Sequence, residues 1–248
     1  MTQVALVAVT GLTLAACSSG GSSSGSTTTT TSVKGGSSST STTSAASTPT
    51  TSSASASVAS KLQTLMESTQ GVKDRTFALT YTETSSASGS GKTLTFAQDP
   101  PKFLFEVASA IIVDTGTETY ACSNTGSGAD YCETSGATTT EIAPLENLIT
   151  GQTVSSQLAS VREGILSKLA GVNASFSSAS FAGQPSSCVS GSQGANTFKY
   201  CVTNSGVLAY AGGSSVKTYG SLTLVTYSTS PPASDFTVPA GATVVTTP

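Results

Sequence analysis

The sequence predicts an α+β domain in which a curved antiparallel sheet carries amphipathic helices over its apolar face. Three observations lead there. From Thr76 onward, runs in which apolar and polar residues alternate follow one another, and a period of two marks a strand with one buried and one wet face. Between residues 142 and 169 the apolar spacing changes to that of a helix. After that stretch the alternating runs return.

The opening run is TFALTYTET, where Phe77, Leu79 and Tyr81 share one face and Thr76, Ala78, Thr80 and Thr82 the other. In KTLTFA, Leu94 and Phe96 alternate with Thr93, Thr95 and Ala97. In KFLFEVA, Phe103, Phe105 and Val107 alternate with Lys102 and Glu106, and Leu104 is the one apolar residue on the polar side. Between the second and third runs, Gln98-Asp99-Pro100-Pro101 forms a stiff corner that cannot lie in a central strand. Upstream, Val58, Leu62, Leu65 and Met66 fall at i, i+4, i+7 and i+8, the mark of an amphipathic helix that ends before Gly71. Downstream, 110–114 reads as a short strand, and 118–123 and 129–133 as a hairpin.

Ile142, Leu145, Leu148 and Ile149 make a short helix with Pro144 in its first turn, where proline is tolerated, and Gly151 breaks it. A longer helix follows over 153–169, with Val154, Leu158, Val161, Ile165, Leu166 and Leu169 on one stripe. Two such helices between two sets of strands must lay their stripes on the sheet, as core packing or as a lid over a cavity. Strands over 174–181, 188–190, 197–203, 207–211 and 219–228 complete the sheet. Pro231 and Pro232 end it, and 235–244 reads as a closing edge segment.

The N-terminal stretch belongs to export. Residues 4–16 form the apolar run VALVAVTGLTLAA, too short for a membrane span but the right length for the apolar part of a signal peptide. Leu14-Ala15-Ala16-Cys17 has the pattern of a lipobox, in which small residues admit cleavage and the Cys17 thiol takes a lipid. Residues 1–17 are thus expected to be a lipoprotein signal. No Lys or Arg precedes the apolar run, so the true start is expected upstream of Met1. Residues 18–57 are Ser-, Thr- and Gly-rich with Lys34 as their single charge, and nothing there can bury enough surface to offset backbone entropy. They are expected to form a disordered tether, spanning roughly 35 Å as a coil and roughly 135 Å when extended.

Composition excludes several functions. Beyond the tether lie nine of the ten Lys and Arg against all thirteen Asp and Glu, a net charge of −4. Nucleic acid is not an expected partner, because phosphate neutralisation supplies most of that affinity. The chain has no histidine, which removes Ser-His-Asp and Cys-His nucleophile systems and histidine metal sites. Ser167-Lys168 are adjacent rather than three apart, and the carboxylates Asp99, Glu106, Asp114 and Glu118 scatter over separate strands. No enzyme, no cofactor and no metal are expected.

With Cys17 assigned to lipid, Cys122, Cys132, Cys188 and Cys201 remain. An even number in an exported chain points to disulfides, and no C-x-x-C spacing supports a metal or redox site. Each pair flanks one predicted hairpin, so the expected bonds are Cys122–Cys132 and Cys188–Cys201.

The lipobox, tether, N-terminal helix, the corner Asp99-Pro100-Pro101-Lys102-Phe103, the helical insertion and the closing Asp235-Phe236-Thr237-Val238-Pro239-Ala240-Gly241-Ala242 together resemble actinobacterial envelope lipoproteins. The order of elements is similar to that of the LolA-like group, which includes the LppX/LprG-type lipid-binding lipoproteins. The resemblance implies that 58–248 is a LolA-like domain: an incomplete, strongly curved antiparallel barrel with helices covering the concave face. It further implies a non-enzymatic carrier or sensor that holds a lipid, glycolipid or acyl chain between sheet and lid. The implied lining is Phe77, Leu79, Leu94, Phe96, Phe103 and Phe105 from the sheet and Ile142, Leu145, Leu148 and Ile149 from the lid. The cysteine pairs depart from the general LolA-like pattern. The alternative is an envelope interaction or regulatory module that binds a protein partner and has no cavity. Either would sit on the outer face of the cytoplasmic membrane, held by the lipid on Cys17.

Overall fold

The computed structural model of the chain describes residues 51–84, 91–108, 110–123, 131–134, 147, 149–213 and 220–246, with 51–54 as backbone alone. Cys17 and the tether up to residue 50 lie outside these residues, as do Ile142, Leu145 and Leu148.

Helix α1 (Thr51–Ser68) starts earlier than the spacing suggests, inside the stretch assigned to the tether. Ala54, Ala56 and Ala59 are strong helix formers, and the Ser-rich composition around them masks their effect. Leu62 and Leu65 form its buried stripe. A 3₁₀ turn (Val72–Asp74) leads from it into the sheet. The buried Gln98 side chain fixes that turn: its amide nitrogen donates to the Val72 carbonyl oxygen at 2.9 Å and also to that of Arg75.

Helix α2 (Gln152–Leu166) buries Val154, Leu158 and Val161. The stripe read from the sequence runs too far. Lys168 has φ +54°, so the helix has already ended, and Leu166 and Leu169 are 48% and 59% exposed.

Among the described residues, twelve strands form one sheet: β1 (Phe77–Thr84), β2 (Lys92–Asp99), β3 (Lys102–Val107), β4 (Ala110–Asp114), β5 (Thr119–Ser123), β6 (Tyr131–Thr134), β7 (Val172–Phe181), β8 (Gln184–Gln193), β9 (Asn196–Thr203), β10 (Leu208–Gly213), β11 (Ser221–Ser228) and β12 (Thr243–Val245). Their spatial order is β12-β6-β5-β4-β3-β2-β1-β11-β10-β9-β8-β7. Two meanders, β1 to β6 and β7 to β11, are joined where β1 pairs antiparallel with β11. Every pairing is antiparallel except the short β12 on β6. The sheet is curved and does not close, leaving β12 and β7 as its edges.

Register shifts between Thr80 and Tyr81 and between Leu208 and Tyr210 mark irregularities of the bulge type, which add local twist. The curl is visible in side chains that meet across intervening strands. The Phe181 ring on β7 stacks on Tyr210 of β10, with centroids 5.9 Å apart.

Strand β8 is much longer than its predicted core, 188–190. Its QPSSCVSGSQ has little alternation to read, and pairing with β7 and β9 on both sides holds it. The β7–β8 turn places Ala182 at φ +50° and Gly183 at φ +73°. Two positive φ values in a two-residue hairpin are usually announced by Asn-Gly or Asp-Gly, and Ala-Gly gives no such notice.

Both faces of the sheet carry apolar side chains. The inner face packs with α1 and α2 into the main core: Phe77, Leu79, Tyr81, Leu94, Phe96, Phe105 and Ile112 share one buried cluster with Leu62, Leu65, Val154, Leu158 and Val161. On the outer face, register sets Ala78, Ala97, Leu104, Val113 and Tyr120 in one row across β1 to β5. Phe236, on the 3₁₀ turn Ala233–Phe236, joins Ala97, Leu104 and Val113 in a second buried cluster there. Leu104, the apolar residue out of phase in the sequence, is therefore the floor of a small outer core.

Both disulfides form as expected, Cys122–Cys132 across β5 and β6 and Cys188–Cys201 across β8 and β9. In each pair the cysteines are direct register partners, with Cα atoms 4.0 Å apart.

Candidate functional site

The sheet residues expected to line a cavity do come together. Leu79, Phe96 and Phe105 are consecutive register partners on the inner face, and the row continues to Ile112 and Ala121. Leu94 lies in the neighbouring row with Tyr81 and Val107. The Phe77 and Phe96 rings are 5.9 Å apart and tilted by 38°. Phe77, Leu79, Leu94, Phe96 and Phe105 are buried, while Phe103 is partly buried against the same cluster. Ile149 is wholly buried in it too. Ile112, Tyr81, Leu222 and Leu224 belong to this face as well. Alternation in the first three runs points to β1, β2 and β3 alone, and register adds Ile112 from β4 and Leu222 and Leu224 from β11.

An open pocket of about 480 Å³ lies beside this core rather than under the sheet residues just named. One wall is the end of α1 and the turn after it, with Met66, Thr69, Gln70, Gly71, Val72 and Lys73. The other is Thr150 and the start of α2, with Gln152, Ser155, Ser156 and Ala159. Val72 is wholly buried and Met66 packs against the main core, so the floor of the cavity is continuous with the apolar interior. The lining also includes the hydroxyl and amide side chains of Gln70, Gln152, Ser155 and Ser156, and Lys73 brings a positive charge. The Thr69 hydroxyl is turned onto the Met66 carbonyl oxygen at 2.8 Å.

Gly151 shapes this site. It precedes α2 at φ +77°, a conformation that side chains disfavour, and a Cβ there would meet Thr69 Cγ2 at 2.6 Å. No side chain caps α2 at Gly151. The positive end of the helix therefore faces the same walls.

Further along α2, Tyr200 of β9 donates its hydroxyl to Gln157 Oε1. Burial pushes the Tyr200 pKa up to about 12. Elsewhere, the exposed Tyr120 and Tyr131 hydroxyls donate to Glu118 and Glu133, the second at 3.0 Å, and each phenol is raised by that bond first. Among the described residues no group of three or more Cys, Asp or Glu is gathered so as to hold a metal ion. No described helix is long and apolar enough to cross a membrane.

The fold and the site thus define an open, curved antiparallel sheet, filled on its inner face by two helices, with an amphipathic cavity where those helices meet. No family model and no curated protein matches the chain. Among solved structures it is similar to MucB in complex with MucA(peri), at 13% identity and a TM-score of 0.38, covering 76% of this chain and 62% of that one. It is also similar to the Pseudomonas aeruginosa MucA/MucB complex, at 15% identity and a TM-score of 0.36, covering 77% and 64%. A third likeness is to PNGF-II, at 9% identity and a TM-score of 0.31, covering 70% and 31%. The chain spans less than two thirds of the length of each.

Proposed function

We propose that this chain is a non-enzymatic, lipid-anchored envelope protein with a LolA-like domain that binds an amphiphile such as a lipid, glycolipid or acyl chain. The observation that carries the reading is the cavity of about 480 Å³ between α1 and α2. Its volume falls in the range of small-molecule sites, and a lining that mixes apolar with polar side chains suits a ligand with two unlike ends. The polar end would meet Thr69, Lys73 and Ser155, and the apolar end Met66 and Val72. Gly151, at φ +77° before α2, is the hinge of the 141–170 segment, and opening there would admit the ligand toward the inner face. Two disulfides agree with an oxidising, extracytoplasmic setting, and the lipobox at Cys17 supplies the anchor.

The test is mass spectrometry of the full chain purified from its own membrane, run under native and then denaturing conditions. Lipid on Cys17 survives denaturation, whereas a bound amphiphile leaves. An extra native mass that is lost on denaturation, and that Ala159→Trp reduces by filling the cavity, supports the reading. Equal masses under both conditions sink it.

A second reading has one observation in its favour. Leu166 and Leu169 stand exposed at the end of α2, as at a surface that docks an envelope protein. Crosslinking in cells from a photoreactive residue at 169 would trap that partner.

A further inference from the structure

The twelve-stranded sheet has two edges, and they are protected differently. β12 offers three residues. β7 is ten residues long and, among the described residues, pairs only with β8. Natural edge strands avoid joining other chains by carrying lysine, proline, a bulge or an inward-pointing charge. β7 has none of these. Its sequence VNASFSSASF contains no charged residue and no proline, and its pairing with β8 runs without a register shift from Val172 to Phe181.

We infer that β7 is a self-association edge, on which a second copy of this chain pairs antiparallel about a two-fold axis. The accessible part is 172–178. Beyond it the strand curls toward β10, where Phe181 stacks on Tyr210. Three features favour an identical strand as the occupant. An antiparallel strand is its own geometric partner: around a two-fold axis residue i faces j and j faces i, so no second sequence is needed. The strand itself carries no charge, and Lys61 of α1, whose Nζ stands 5.6 Å from the Phe176 ring centroid, is held on that ring rather than on the strand's free edge. The exposed side chains are Asn173, Ser175, Ser177 and Ser178; Asn173 and Ser175 bond back to Ser192 and Ser190 of β8, and the Ser177 and Ser178 hydroxyls, which both donate and accept, complement their own kind. The inner-facing Val172, Ala174 and Phe176 already pack against the core and hold the strand in place. Pairing would extend the sheet into its twin and place the two cavities of a dimer on one continuous scaffold.

The test is sedimentation of the full chain over a wide concentration range. The wild-type chain should pass from monomer to dimer. The double substitution Ser175→Lys with Ser177→Lys puts like charges opposite one another in the paired state and should abolish the dimer, with the far-ultraviolet spectrum unchanged. A wild-type chain that stays monomeric throughout overturns the inference. So does a lysine variant that still dimerises, since another surface would then be responsible. Amide exchange of the wild-type chain reads the same contact without substitution. Protection gained within 172–178 on concentrating the chain supports it. Protection already complete in dilute solution overturns it, because another part of the same chain would then cover the edge.

Discussion

The hydroxyl of Tyr81, on β1, donates a 2.7 Å hydrogen bond to the carbonyl oxygen of Leu208, on β10. The two strands are not neighbours, because β11 lies between them. The bond spans 127 residues of sequence and crosses the interior, so it closes the curl of the sheet where the two meanders join. Tyr81 is wholly buried, and its hydroxyl has no route to water. Tyr81→Phe keeps the ring and leaves the Leu208 carbonyl without this donor. The expected loss is about 1–3 kcal/mol, the cost of a buried polar group left unsatisfied. Urea denaturation of the two proteins, with an unchanged slope, would measure it.

Tyr200 and Tyr81 also make stability fall at high pH. Burial raises both phenols, Tyr200 to about 12 and Tyr81 well above its ordinary value. In the unfolded chain each would ionise near pH 10. The protonated form is therefore favoured by folding. Its contribution is fully present below about pH 10 and is lost as pH rises from there through the folded-state value. For Tyr200 the loss is about 2 kcal/mol at pH 12, taking about 1.4 kcal/mol per pH unit between the unfolded and folded values. Melting temperature should be flat from pH 7 to about 9 in this respect and then drop. Tyr200→Phe should flatten part of that drop, which thermal scans at pH 9, 10 and 11 would read.

How far the sequence speaks for the fold can be seen residue by residue. Phe77, Leu79, Phe96 and Phe105 were legible as one face because alternation survives in every strand that contributes them. The cysteine pairs were legible because each flanks a hairpin, so register sets partner against partner. Leu104 looked like an irregularity, because its cover, Phe236, is supplied by a turn far away in sequence. β8 was largely hidden, since Ser and Gly at half of its positions leave no pattern. The cavity was not legible at all. Most of its lining residues are Thr, Ser, Gln and Lys at helix ends, which in sequence look like ordinary solvated termini, and only the packing of α1 against α2 brings them together.

The two disulfides should differ in consequence although they close similar loops. Their sequence separations are 10 and 13, for which the chain-entropy model predicts about 3 kcal/mol each. Cys188 and Cys201 are wholly buried within the main core. Replacing both by alanine removes the cross-link and also leaves space within that core. Cys122–Cys132 joins β5 to β6, near the β12 edge and outside that cluster. The pair Cys188→Ala/Cys201→Ala is therefore expected to lower global stability by more than about 3 kcal/mol. The pair Cys122→Ala/Cys132→Ala should cost no more than that and should loosen β6 and β12 first. Hydrogen exchange resolved by strand distinguishes the outcomes: uniform loss of protection for the first pair, and loss centred on 131–134 and 243–245 for the second.

Phe236 tests whether the outer cluster is a real second core. Its ring is buried on the row formed by Ala97, Leu104 and Val113, and Lys102 Nζ stands 5.9 Å from the ring centroid. Phe→Ala in a well-formed core costs about 3–5 kcal/mol. Here the cluster is small and lies at the surface, where the site can partly collapse, so the expected loss is about 3 kcal/mol, the low end of that range. Leu104→Ala should cost about 2–3 kcal/mol by the same reasoning. Because the two side chains share one cluster, the double variant should lose less than the sum, with a coupling of at least about 0.5 kcal/mol. Additive losses would mean that Phe236 and Leu104 are buried independently, and that the C-terminal turn does not seal the outer face of the sheet. Equilibrium unfolding of the four proteins in the cycle decides between the two.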